Sequence, residues 1–182
     1  MIGGDDYLRG YEGDDTLQGG FGNDVVIGDE GDDRLEGNIG DDKIYGGEGD
    51  DTIYGDGDID DPFFFGDDII YGGEGSDSIR GGNGDDILHG DEDIDFLYGG
   101  AGEDIIYGGD GLDLIDSGYG WDTIFGGDGC DIIGTIDGGD VVWLGDCDGS
   151  STQKVIINGT GEDPENFTVI MDFWLESANP SN

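Results

Sequence analysis

The sequence predicts an all-β chain wound as a right-handed parallel β-roll, a flattened β-solenoid with a short β-rich C-terminal cap. Three observations predict it. A nine-residue phrase recurs in phase, an aliphatic residue holds a fixed place in each copy, and glycine falls where the chain must turn. "GGEGDDTIY" (46–54), "GGEGSDSIR" (72–80), "GGNGDDILH" (81–89) and "GGAGEDIIY" (99–107) are four such copies.

With Gly46 as position one, units begin at residues 1, 10, 19, 28, 37 and 46. A long unit spans 55–71, seven more begin at 72, 81, 90, 99, 108, 117 and 126, and a degenerate one begins at 135. These fifteen units cover residues 1–143, and the segment 144–182 is the expected cap. Position eight is always a branched aliphatic, from Leu8, Leu17 and Val26 to Ile133 and Val142. Position four is Gly in fourteen units, Asp93 being the exception, and position two is mostly Gly, Asp or Asn. Those residue types tolerate a left-handed backbone.

Each element follows. Positions seven to nine predict a three-residue strand with its middle side chain pointing inward, and positions one to six predict a tight turn. Two units complete one turn of the solenoid, so units n and n+2 stack at a strand spacing of about 4.8 Å. The aliphatics then form a thin core between two parallel sheets.

Position six is Asp in every unit: Asp6, Asp15, Asp24, Asp33, Asp42, Asp51, Asp68, Asp77, Asp86, Asp95, Asp104, Asp113, Asp122, Asp131 and Asp140. Position five, by contrast, drifts from Asp5 and Asp14 to Leu112, Trp121 and Cys130. A solvated acidic surface does not explain that difference. Stacked carboxylates would repel one another unless a cation sits between turns. Carboxylate and carbonyl oxygens suit calcium, a hard cation. Fifteen units leave room for up to about 13 inter-turn sites.

The composition agrees. The 182-residue chain has 47 acidic residues, 5 basic residues and a net charge of −42, which thirteen divalent ions would bring to about −16. Such acidity with 42 glycines opposes collapse, yet 34% hydrophobic residues are too many for a solvated tail. An external cation reconciles the two. Nucleic acid is excluded as a partner because its phosphates would be repelled. No stretch approaches the length of a membrane span, and "MIGGDDYLRG" lacks the basic-then-apolar pattern of a secretory signal.

The pattern GGxGxDxUx, with U aliphatic, resembles the repeats-in-toxin (RTX) haemolysin-type calcium-binding family over about four-fifths of the chain. The resemblance implies a calcium-dependent β-roll secreted from a bacterium, usually by a type I exporter that needs no signal peptide. It implies an extracellular or cell-surface location. Related modules accompany secreted proteases, lipases, haemolysins, epimerases and adhesins, usually as accessory parts.

The departures from the pattern carry further expectations. The long unit predicts a loop at about 56–63, and its Phe63, Phe64 and Phe65 either fold back on the roll or form a contact patch. Outward positions seven and nine of the odd units bring Ile69, Tyr71, Ile87, His89, Ile105, Tyr107, Phe125 and Trp143 to one face. That face is covered by the tail, associates with a partner or another copy, or stacks on sugars. His89 has no catalytic partners and reads as packing. "KVIING" (154–159) and "NFTVIMDFWL" (166–175) read as strands. The frame places Cys147 one turn above Cys130, within disulfide reach.

There is no HExxH or GxSxG, and the chain has a single His. The expected function is therefore a non-enzymatic calcium-binding module that folds on export. The alternatives are a self-assembling extracellular filament, matrix or adhesin subunit, and the accessory end of a larger secreted hydrolase or toxin.

Overall fold

A computed structural model describes residues 3–57, 65–134, 139–145, 147, 154–155 and 168–170. Within them the secondary structure is all β, in two sheets whose pairings are parallel throughout. With strands numbered in chain order, the first sheet runs β1 (Tyr7–Glu12), β3 (Val25–Glu30), β5 (Lys43–Glu48), β7 (Ile69–Glu74), β9 (Ile87–Glu92), β11 (Ile105–Gly111), β13 (Thr123–Gly129), β15 (Val141–Trp143) and β17 (Thr168–Ile170). The second runs β2 (Thr16–Phe21), β4 (Arg34–Ile39), β6 (Thr52–Tyr54), β8 (Ser78–Asn83), β10 (Phe96–Ala101), β12 (Leu114–Tyr119), β14 (Ile132–Gly134) and β16 (Lys154–Val155). Odd units build one sheet and even units the other, as the n to n+2 stacking requires.

The strands are longer than expected. Most span six residues, positions seven to nine of one unit and one to three of the next. Pairing survives the corner where stacked turns have the same shape, so Gly47 still meets Asp29 and Glu48 meets Glu30. The corner itself needs a positive φ at position two. Gly47 supplies it at 130°, Asp29 at 83° and Asn38 at 85°. Tyr11 adopts 81° without being Gly, Asp or Asn, a conformation that costs such a residue about 1–2 kcal/mol.

The insertion does not disturb the stacking. Ile70 pairs in register with Ile44 although 26 residues separate them. Phe65 is exposed, while Phe63 and Phe64 lie outside the described residues.

Position-eight side chains from Val26 to Val142 are all buried and form one cluster with Leu144. Each contributes about 1.5–3 kcal/mol by burial. Leu8 and Leu17, in the first turn, are only partly buried. Beyond position 143, Lys154–Val155 pairs with β14 and Thr168–Ile170 with β15. The last two strands thus prolong opposite sheets.

Candidate metal centre

The position-six aspartates form two internal columns, one along each edge of the roll. From Asp24 to Asp140 they are at most 3% exposed, and Asp6 and Asp15 in the first turn are half-buried. In every stacked pair the backbone N–H of the earlier Asp donates to Oδ1 of the later one. Asp42 donates to Asp68, Asp51 to Asp77 and Asp77 to Asp95, each at 2.8 Å. Thirteen such links join the described turns, seven on one edge and six on the other.

The second oxygen has another fate. Oδ2 of Asp24, Asp33, Asp42, Asp51, Asp68, Asp77, Asp86, Asp95, Asp104, Asp113 and Asp131 is buried with no hydrogen-bond partner. A buried carboxylate oxygen without a donor is costly unless a cation meets it. The position-one glycines make the space. A Cβ on Gly46 would stand 2.2 Å from Asp51 Oδ2 and 2.5 Å from the carbonyl oxygen of Gly72 in the next turn. The same pair of oxygens converges beside Gly28, Gly55, Gly81 and Gly90. Each turn therefore presents a carboxylate oxygen and a backbone carbonyl oxygen to one cradle over a bare glycine Cα.

Charge is unfavourable there without a counter-ion. Burial, with a contribution from neighbouring carboxylates, pushes the pKa of Asp42 up to about 7, Asp68 to about 8 and Asp86 to about 9. The N–H bond from the turn below opposes the shift. Among the described residues no three His, Cys, Asp or Glu side chains form a ready metal cluster. The donor set therefore mixes carboxylate and backbone carbonyl oxygens, which suits calcium and not a thiolate- or imidazole-preferring metal.

Position five forms a second ladder that the sequence reading did not anticipate. Asp5 Oδ1 accepts from the N–H of Asn23, and Asp50 Oδ1 from the N–H of Ser76, so this ladder reaches up the roll while position six reaches down. It is exposed and tolerates replacement, which is why position five drifts.

The outward residues fall into columns. Tyr45, Tyr71, His89, Tyr107, Phe125 and Trp143 stack with centroids 4.6–6.0 Å apart and planes within 13°. Tyr45 belongs to this row although it precedes the insertion. Rings stacked on both sides have no face left for a sugar. Burial lowers the His89 pKa, keeping its ring neutral in the stack. Ile69, Ile87 and Ile105 lie half-buried on the same strands. Most of the tail, one of the covers expected for this face, lies outside the described residues.

Position three of the even units adds an exposed acidic row: Glu12, Glu30, Glu48 and Glu74 stack in register, as do Glu92, Asp110 and Asp128. On the other sheet Arg34 bonds Glu36 at 2.6 Å and lies over Tyr54. Cys130 and Cys147 are joined in a disulfide with Cα atoms 4.9 Å apart.

A family model described as the RTX calcium-binding nonapeptide repeat (4 copies) matches residues 2–35, 27–61, 64–97 and 98–133. No curated protein gives a significant match.

Proposed function

Because the chain belongs to the RTX calcium-binding nonapeptide-repeat family, we propose that it is a calcium-dependent structural module that is secreted and folds outside the cell. The observation that carries this reading is the pair of columns of buried, donorless Asp Oδ2 atoms, most of which converge with a backbone carbonyl oxygen of the next turn over a position-one glycine. Calcium supplies the positive charge those oxygens need. The position-six aspartates, Asp6 to Asp140, and the position-one carbonyls would hold it, at up to about 13 inter-turn sites. Residues 1–143 are then the binding roll and 144–182 its cap.

Ion binding supplies folding free energy to a chain whose own charge opposes compaction. At low cytosolic calcium the chain stays open for export, and at millimolar calcium outside it closes. The Cys130–Cys147 bridge suits an oxidising compartment. The role is mechanical, not catalytic.

Far-UV circular dichroism during a calcium titration, with magnesium as control, tests this. A β signal that rises cooperatively with calcium alone is expected. A chain already folded in excess chelator would overturn the reading.

A second reading is association through the odd-unit face. Its half-buried aliphatics beside an aromatic stack present an apolar strip on one sheet. Sedimentation velocity in calcium would show mass rising with protein concentration, and a strict monomer would end the idea.

A further inference from the structure

The long unit differs from the others at one buried residue. Asp56 stands at position two, where neighbouring units turn through a positive φ, and it does not share that conformation. Its side chain is carried up towards the next turn instead. Oδ2 accepts from the backbone N–H of Asn83 at 2.6 Å, and Oδ1 is buried with no hydrogen-bond partner. The residue is only 4% exposed.

What it displaces is informative. Beside Gly100 and Gly109 the space a Cβ would take is filled by the backbone carbonyl oxygen of the turn below, at 2.1 Å in both cases. Beside Gly82 that space is met by the Asp56 side chain, at 2.6 Å. A carboxylate thus replaces a carbonyl at one corner of the roll.

That corner adjoins a repeat site. The Asp56 N–H donates to the Gly81 carbonyl at 3.1 Å, and the same carbonyl faces Asp68 Oδ2 across Gly55.

We propose that Asp56 is an additional calcium ligand outside the nonapeptide pattern, which makes the site beside Asp68 the tightest in the roll. This rests on the calcium reading above. Affinity at oxygen-lined sites rises with the number of charged ligands. The ion beside Asp68 would therefore be the first bound and the last released, placing the start of calcium-driven winding in the middle of the chain.

The test is calcium release from the calcium-loaded full chain, mixed rapidly with a chromophoric chelator, for wild type and Asp56→Asn. Asn can still accept the Asn83 N–H bond while losing the charge. One ion should leave the wild type about tenfold or more slowly than the rest, and Asp56→Asn should lose that phase. Identical release from both proteins overturns the Asp56 site and leaves the calcium reading standing. A wild type that binds no calcium overturns both. If Asp56→Asn does not fold in saturating calcium, terbium lifetimes in light and heavy water decide on the wild type alone. Fewer bound waters on the first equivalent of terbium support the extra ligand, and equal hydration of early and late equivalents rejects it.

Discussion

The backbone N–H of Asp86 donates to Oδ1 of Asp104 at 2.9 Å, while Oδ2 of the same Asp104 is buried and meets no donor. One oxygen holds the turns together and the other waits for a charge. The two tasks can be separated by substitution. Asp104→Asn keeps an acceptor for Asp86 and removes the anion, whereas Asp104→Ala removes both. We expect Asn to raise the calcium concentration at the folding midpoint and lower the bound calcium by one ion. Ala should do the same and cost a further ~1–3 kcal/mol through the unpaired N–H. Circular dichroism titration with atomic absorption reads both quantities. Equal behaviour of Asn and wild type would remove Asp104 from the ligand set.

The pH dependence in chelator has a definite sign. Burial holds Asp51 and Asp131 up to about 6, Asp95 and Asp104 up to about 7, and Asp77 up to about 8. An unfolded carboxyl ionises near about 3.9. Below that value both states are protonated and the burial carries no penalty. As pH rises from about 4, the unfolded chain ionises first and the folded state loses stability, through the window of about 6 to 8 set by these groups. Acidification of the calcium-free chain from pH 8 to pH 4 should therefore increase its β signal. Calcium should abolish the dependence above pH 6 by compensating the ionised form. A calcium-free chain that loses β signal on acidification would contradict the assignment of these carboxyls as buried and uncompensated.

Glycine at position one is required by space, and at position four of the second unit by backbone conformation. Gly46→Ala would drive a Cβ between Asp51 Oδ2 and the Gly72 carbonyl, occupying the cradle itself. Gly13 has a φ of 101° and open space around the built Cβ, so Gly13→Ala adds backbone strain alone. Both should destabilise the roll, by about 1–3 kcal/mol for overpacking at Gly46 and about 1 kcal/mol for strain at Gly13. Only Gly46→Ala should reduce the number of bound ions. Calcium stoichiometry at saturation distinguishes them.

The repeat made the two sheets, the inward aliphatic column and the position-six aspartates legible, because each follows from a strict period. Ile70 stacking on Ile44 could be read from the frame resuming after the insertion. The division of labour between Oδ1 and Oδ2 could not, since it depends on the rise of one turn onto the next. Strand length was also hidden: glycines at positions one and two read as the end of a strand, yet Gly47 still pairs with Asp29 because the turn below has the same corner. Asp56 escaped notice for another reason. It stands at position two of the long unit, a place that Gly, Asp and Asn fill alike, and only its burial and its lack of a positive φ mark it out.

The Cys130–Cys147 bridge closes the last turns, and its effect should be local. The two cysteines are 17 residues apart, and cross-linking a loop of that size contributes about 3 kcal/mol in the chain-entropy account. In a solenoid each turn touches only its neighbours, so stability lost at one end is not shared by the whole molecule. The register Ile132↔Leu114 and Val141↔Thr123 ties β14 and β15 to the turns immediately below them and to nothing nearer the N-terminal end. A Cys130→Ser, Cys147→Ser double variant, calcium-loaded, should therefore lose amide protection in β14 and β15 while β3 and β5 keep theirs. Hydrogen exchange resolved along the chain measures this directly. Uniform loss of protection from β3 to β15 would mean that the roll unfolds as one cooperative unit, and that the bridge stabilises the whole and not its end.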